Sequence, residues 1–158
     1  MRDHRLDLTF YNRSETLTVP TDHVEFSRFL DAVKRLAADD KKVPAFYLFG
    51  ATPEVSVVVS VSDVQTAYAV LGGDGHFGDV LVDRDVALFL RNRPGPLMLR
   101  LPPKGPLGDM LIGLTETMYG EPLPGCVMLA DELNHPVFFR LDEIQYAVFK
   151  SRVLLNGT

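Results

Sequence analysis

The segment GGDGHFGD at residues 72–79 holds the residue types in this chain that are best suited to a metal or phosphate site. Imidazole and carboxylate groups from Asp74, His76 and Asp79 are suitable ligands for a divalent cation, and glycines let the backbone fold closely around an ion. The spacing matches neither a calcium-binding loop, which carries a glutamate at its twelfth position, nor the glycine fingerprint of dinucleotide-binding proteins. No metal is therefore predicted here.

A turn is the simpler interpretation of the same segment. The Asp74–Gly75 pair suits a turn that requires a positive φ angle, and Phe77 can pack against the edge of the core and hold the loop in place. A loop of this kind can also present side chains to another protein. We therefore treat Asp74, His76, Phe77 and Asp79 as a candidate binding loop without a catalytic residue.

A second segment, KGPLGD at 104–109, places a lysine and two glycines at the start of a predicted helix. Exposed N–H groups at a helix start attract anions, so Lys104, Gly105 and Gly108 form a candidate anion site. The Gly-Lys-Ser/Thr sequence of phosphate-binding loops is absent. Glycine followed by proline is also ordinary chemistry for the first turn of a helix.

The other reactive residue types form no recognisable catalytic pattern. The chain has no Gly-x-Ser-x-Gly turn of the kind that exposes a nucleophilic serine. Its single cysteine, Cys126, excludes an intramolecular disulfide and lies among apolar residues, where a buried thiol is expected. We therefore expect no cofactor and no metal, and we favour a protein that is not an enzyme.

Composition narrows the class of partner. The 158 residues, 46% hydrophobic and 23% charged, suit a single globular domain over 1–158. A net charge of −5, from 21 acidic and 16 basic side chains, disfavours binding to nucleic-acid phosphates. The apolar runs are far shorter than the ~20 residues that span a bilayer, and the N-terminus has no apolar signal segment. We expect a soluble, cytoplasmic protein.

The first half of the chain alternates strand and helix patterns. Residues 5–19 predict a hairpin, and residues 22–42 predict an amphipathic helix that begins at Asp22, with Glu25 as the second half of a capping box. The segment PAFYLFG at 44–50 is apolar on both faces, which predicts a central strand. Residues 55–61 alternate valine with serine as in a half-buried strand; for the segment that follows, to residue 71, a capping-box pattern leaves helix open, and we favour a strand.

The second half predicts further strands and a second main helix. Acidic residues before VALFL and arginines after it favour a short buried helix over 83–92, followed by a strand in PLMLRLPP. Residues 107–119 predict an amphipathic helix, and 126–150 predict a three-stranded antiparallel meander. An internal echo relates two segments that both show a strand–helix–strand pattern, LTVPTDHVEFSRFL…VPAFYLF and VLVDRDVALFL…PGPLMLRL. Duplication of one unit is therefore kept as an alternative.

These patterns together predict an α+β fold: a single domain with a largely antiparallel sheet of six to eight strands and two main helices packed on it. The first hypothesis for function is a non-enzymatic protein-binding module, a small regulator, inhibitor or immunity-type protein. The alternative is a small enzyme or ligand-binding protein with an anion or metal site near loops 72–79 and 104–109. A further alternative is a structural subunit of a homo-oligomer.

Overall fold

The computed structural model describes residues 4–38, 43–50, 55–71, 86–99, 107–118, 121, 126–130 and 135–150. These segments form antiparallel sheets and two helices, which confirms the α+β class. The elements in chain order are β1 His4–Phe10, β2 Thr16–Thr21, α1 His23–Ala37, β3 Phe46–Phe49, β4 Val55–Ser60, β5 Val64–Leu71, β6 Val86–Leu90, β7 Leu97–Leu99, α2 Leu107–Glu116, β8 Cys126–Ala130, β9 Pro136–Arg140 and β10 Ile144–Lys150. A single 3₁₀ turn precedes β5 (Val61–Asp63), and another precedes β10 (Leu141–Glu143).

The described strands form three sheets, the largest with five strands, so the prediction of one sheet of six to eight strands is wrong. The three-stranded sheet has the order β2-β1-β5, the five-stranded sheet has the order β3-β4-β10-β6-β7, and β8 pairs with β9. The reason for the division is layering: alternate residues of β4 point into different cores, and each of the two smaller sheets covers one of those cores.

The chain contains one topology twice, with a fixed spacing between the two copies. Val86 pairs with Leu99, and both lie 80 positions after Leu6 and Val19, which form the corresponding pair of β1 and β2. The same spacing of 80 relates β1–β5 to β6–β10 and β3–β4 to β8–β9. We call residues 4–71 the N-terminal unit and residues 86–150 the C-terminal unit.

The turns after β1 and β6 are equivalent in detail. Asn12 has a φ angle of 60° and Asn92 one of 61°, which is the left-handed region that asparagine tolerates better than most residues. The backbone N–H of Tyr11 donates to the carbonyl of Asp63 at 3.2 Å, and that of Arg91 donates to the carbonyl of Glu143 at 2.8 Å. Each turn therefore closes on the 3₁₀ turn of its own unit.

The five-stranded sheet lies in the middle of the molecule and is buried on both faces. One face packs against α1 and the three-stranded sheet, forming the first core; its strand residues include Val57, Val59, Phe89, Tyr146 and Val148. The other face packs against α2 and β9, forming the second core; its strand residues include Val58, Val86, Leu88, Ala147 and Phe149. Strands of this central layer are therefore apolar on both faces.

The first helix begins where the sequence predicts. The Asp22 side chain accepts a hydrogen bond from the Glu25 backbone N–H at 2.8 Å, which satisfies one free donor of the first turn. Phe29 is fully buried in the first core, with Phe26 and Val33 packed beside it. The helix ends at Ala37; residues 39–42 of the predicted 22–42 helix lie outside the described residues.

The predicted helix over 83–92 is wrong, because residues 86–90 form β6. Val86 and Leu88 point into the second core, whereas Ala87 and Phe89 point into the first. A strand covered on both faces has a continuous apolar run, which periodicity does not separate from a buried helix. The internal echo placed this run opposite α1, but its counterpart in the repeat is β1.

Two further strand predictions require correction. β3 lies at the edge of the five-stranded sheet rather than at its centre, although both of its faces are covered. The meander over 126–150 is interrupted, because β10 pairs with β4 and β6 and not with β9. The strand preferred for 63–71 is confirmed as β5, and the second helix is confirmed as α2.

The two asparagine turns give a first prediction. Replacing Asn92 with alanine should lower the free energy of unfolding by about 1 to 2 kcal/mol, because a β-carbon without the local polar interactions of asparagine is strained at positive φ. Asn92→Gly should be close to neutral, since glycine adopts this region freely. Urea denaturation of the three proteins checks this, and equal stability of the alanine and glycine variants would contradict it.

Candidate functional site

The residues of the two sequence-predicted sites fall mostly outside the described residues. Asp74, His76, Phe77 and Asp79 lie in the segment 72–85, and Lys104 and Gly105 lie in the segment 100–106. Gly108 is the second residue of α2. The candidate binding loop and the candidate anion site, with the ligand-binding alternative that depends on them, therefore stay predictions.

The remaining histidines and carboxylates are dispersed. His135 is exposed just before β9, and the rings of His4 and His23 meet edge to face with their centroids 6.4 Å apart. Among the segments that the structure describes, no group of three or more His, Cys, Asp or Glu side chains could hold a metal ion. Cys126 lies on β8, opposite Arg140 of β9.

A polar junction lies where the two units meet, and Arg13 is its centre. The Arg13 guanidinium donates to Gln145 Oε1 at 2.9 Å, to Glu15 Oε1 at 2.5 Å and to the carbonyls of Leu90 and Arg93 at 2.6 and 3.0 Å. The Arg13 side chain is 3% exposed. All three of its nitrogens are therefore engaged, and the side chain joins the turn after β1 to the turn after β6.

Aromatic rings continue this junction into the first core. Tyr146 stacks between Phe89, at a centroid distance of 4.1 Å, and Phe10, at 4.7 Å. The Arg13 guanidinium lies over Phe89 at 5.4 Å and over Tyr146 at 5.9 Å, within range of a cation–π interaction. Burial raises the pKa of Tyr146 well above its ordinary value, and the negative charge of Glu15 adds to the effect.

A second arginine has a comparable structural role within the junction. Arg91 binds both carboxylate oxygens of Asp63, at 2.9 and 2.6 Å, and donates to the carbonyl of Asp142 at 2.6 Å. Ser60 donates its hydroxyl to the same carboxylate at 2.6 Å. The hydrogen bonds to Asp63 raise the pKa of Arg91. This bidentate pair fixes the 3₁₀ turn of the N-terminal unit against the C-terminal unit.

The junction has a surface depression of about 230 Å³, lined by Asn12, Arg13, Ser14, Glu15, Asn92, Arg93 and Pro94. It is smaller than the roughly 300 to 1,000 Å³ of ordinary small-molecule pockets. The Arg13 charge in its wall is already neutralised by Glu15. We therefore interpret the depression as part of the contact between the units rather than as a ligand site.

The strongest candidate for an interaction site is the outer face of the three-stranded sheet. We give this name to the residues that point away from the first core on β1, β2 and β5: Arg5, Asp7, Thr9, Thr16, Thr18, Thr66 and Tyr68. Thr18 donates to Asp7 Oδ1 at 3.0 Å, Arg5 forms an ion pair with Asp7 at 3.1 Å, and the hydroxyls of Thr9 and Thr66 are hydrogen-bonded. Tyr68 lies opposite Asp7 and is 69% exposed.

The repeat shows that this exposure is particular to one unit. Thr66 and Tyr68 of β5 lie 80 positions before Tyr146 and Val148 of β10, which are 3% and 2% exposed. The residues from 65 to 69 are all exposed, whereas those from 144 to 149 are all buried. The same structural position therefore serves as a core strand in one unit and as an open surface in the other.

Sequence reasoning did not find this surface. The hairpin predicted for residues 5–19 matches β1 and β2, but the strand pattern before residue 71 does not show which strand lies beside Tyr68. The shared Asn-Arg dipeptide at 12–13 and 92–93 is the signal that aligns the two units and thereby exposes the difference between β5 and β10.

Comparison with known proteins assigns no family. No protein-family model, no curated protein and no solved structure matches the chain. Neither helix of the described segments is long and apolar enough to cross a membrane. The molecule's own surfaces are therefore the basis on which a function can be proposed.

The Arg91–Asp63 pair gives a second prediction. Arg91→Leu should lower the free energy of unfolding by about 2 to 3 kcal/mol, because it leaves the buried Asp63 carboxylate without its countercharge. The expected loss is below that of a fully buried pair, since the Arg91 side chain is 38% exposed. The matched control is Arg140→Leu, whose pair with Asp142 is exposed on both sides and should change stability by about 0.5 kcal/mol or less. Denaturant titration that finds equal losses for both variants would count against the assigned role.

Tyr146 gives a third prediction, which concerns alkaline pH. An unfolded tyrosine loses its proton near pH 10, whereas folded Tyr146 keeps its proton to higher pH. The contribution of Tyr146 to stability is therefore complete below about pH 10 and decreases above it, by up to about 1.4 kcal/mol per pH unit. Tyr146→Phe should remove this part of the decrease, and the exposed-site control Tyr68→Phe should retain it. Urea titrations at several alkaline pH values measure the difference between the two slopes.

Proposed function

We propose that this protein is a non-enzymatic protein-binding module, a small soluble regulator, inhibitor or immunity-type protein, and that its contact surface is the outer face of the three-stranded sheet. The observation that carries the proposal is the exposure of Tyr68 in a strand whose counterpart is buried in the core. A sheet face that has a core partner in one unit is left open in the other.

The chemistry of the outer face supports contact with protein. Tyrosine and arginine are, with tryptophan, the residues most enriched among those that dominate binding energy, and Tyr68 and Arg5 occupy neighbouring rows of the sheet. The threonine hydroxyls that line the same face can donate and accept hydrogen bonds at a polar rim. The side chains are held by the ladder of β1, so binding would require little ordering of the backbone.

The charges of the chain favour a basic partner in the cytoplasm over a nucleic acid. A net charge of −5 would accelerate encounters with a positively charged protein and oppose approach to phosphates. The arginines of the polar junction, Arg13 and Arg91, are engaged by carboxylates and carbonyls and so add little to a phosphate-binding surface.

The fourth prediction tests the surface directly. Immobilised protein should capture its partner from an extract of the native host, and Tyr68→Ala should reduce capture at least about tenfold, as expected for a central contact residue. Phe138→Ala is the matched control, because Phe138 is an aromatic residue with 67% exposure on β9, on the other side of the five-stranded sheet. Quantitative mass spectrometry of the captured proteins provides the measurement. Unchanged capture by Tyr68→Ala, or loss with Phe138→Ala alone, would refute the assigned surface.

A further inference from the structure

The strand β5 presents an edge that is open among the described strands. It pairs with β1 on one side, and the structure describes no strand on its other side. An unpaired row of backbone N–H and C=O groups is a template for another strand, and proteins commonly protect such edges with charged residues or proline. The sequence of β5, VQTAYAVL, contains neither.

The repeat indicates that the edge of β5 can pair with another strand. The counterpart of β5 is β10, which pairs with β6 on one side and with β4 on the other. Both strands carry a register shift at the same place, next to Gln65 in β5 and next to Gln145 in β10. Their backbones therefore follow the same course, and the course that accepts β4 along β10 is repeated along β5.

The chain's own counterpart of β4 cannot reach this edge. That counterpart is β9, whose Phe139 packs in the second core, whereas Leu8 of the three-stranded sheet packs in the first. The five-stranded sheet lies between them. Among the described strands, β9 is therefore not placed to pair with the open edge of β5.

The residues of the outer face restrict how a partner molecule can approach β5. Within the chain, the face of the C-terminal unit that carries Ala87 and Phe89 packs in the first core. Asp7 and Thr9 are the equivalent residues of the outer face, so a second copy that packed on this face in the same way would bury them in an apolar core. Burial of a carboxylate there is costly without a countercharge. The added strand must therefore join the edge and leave the outer face in water.

We propose that the occupant is β5 of a second copy, which pairs antiparallel with β5 of the first to form a symmetric dimer. A two-fold axis then lies at the middle of β5, and a continuous six-stranded sheet runs from β2 of one copy to β2 of the other. A strand that pairs with its own copy places identical residues near each other, so a charged edge strand would repel the second copy. The uncharged residues of β5 avoid this repulsion, and two-fold symmetry is the commonest form of self-association. This inference does not depend on the proposed function, and it doubles the area of the outer face.

The fifth prediction is concentration-dependent dimerisation of the purified protein. Pairing of one strand buries less than the roughly 1,200 Å² of a standard stable interface, so the dimer should be weak. Analytical ultracentrifugation over a hundredfold range of concentration should show a monomer–dimer equilibrium. The double variant Ala67→Lys/Ala69→Lys should raise the dissociation constant at least about tenfold. Both residues are exposed on β5, so lysines at these positions would repel the lysines of the second copy. Its charge-matched control is Val24→Lys/Ser27→Lys on the exposed side of α1, which should leave the dimer unchanged.

Disulfide crosslinking provides an independent measurement of the same interface. In a Cys126→Ser background, single cysteines at 66, 67, 68 and 69 should form crosslinked dimers under mild oxidation, most strongly nearest the two-fold axis. Thr16→Cys, on β2 at the far edge of the sheet, should not. A protein that stays monomeric at every concentration, or a dimer that tolerates the β5 lysines and crosslinks no better at 66–69 than at 16, overturns the proposal. Because the lysine variant leaves Tyr68 in place, retained capture of a foreign partner by that variant separates the dimer from the proposed function.

Discussion

The antiparallel pairing of β4 with β10 is the contact from which the rest of the architecture follows. It joins a strand of the N-terminal unit to a strand of the C-terminal unit and so produces the five-stranded sheet. Because this sheet has a core on each face, α1 and α2 pack on different sides of it. The two units therefore share one central layer, and each core contains residues of both units.

The polar residues near this layer serve its assembly. Arg13 extends from the N-terminal unit to Gln145 and to the carbonyls of Leu90 and Arg93, while Arg91 extends in the opposite direction to Asp63. Each charge is neutralised where it is buried, as buried charges require. In the described part of the chain, the residues that most resemble chemical machinery are thus structural, and the outer face of the three-stranded sheet belongs to the N-terminal unit.

A repeated topology with unequal ends explains those open surfaces. Arrays of repeated units need an end unit with a polar outer face, because the last unit has no neighbour to cover it. Thr9, Thr66 and Asp7 fulfil this requirement in the N-terminal unit, at positions that hold Phe89, Tyr146 and Ala87 in the other. Because threonine and aspartate stand in place of apolar residues, the outer face is suited to contact with water. The backbone edge of β5 can still form hydrogen bonds with another strand.

Local patterns in the sequence determined the hairpin of β1 and β2, the start of α1 at Asp22 and the overall α+β class, since turn residues, helix caps and alternation act over a few neighbouring positions. Tertiary structure decided that residues 86–90 form a strand, that β10 leaves the predicted meander, and that Tyr68 is a surface residue. The tripeptide Tyr-Ala-Val occurs at 68–70 and at 146–148; Tyr146 is buried because it points into the first core between Phe89 and Phe10, and Tyr68 is exposed because it points to the outer face of the three-stranded sheet. The contacts that bury Tyr146 join residues far apart in the chain, so two identical short sequences do not show which of them is buried.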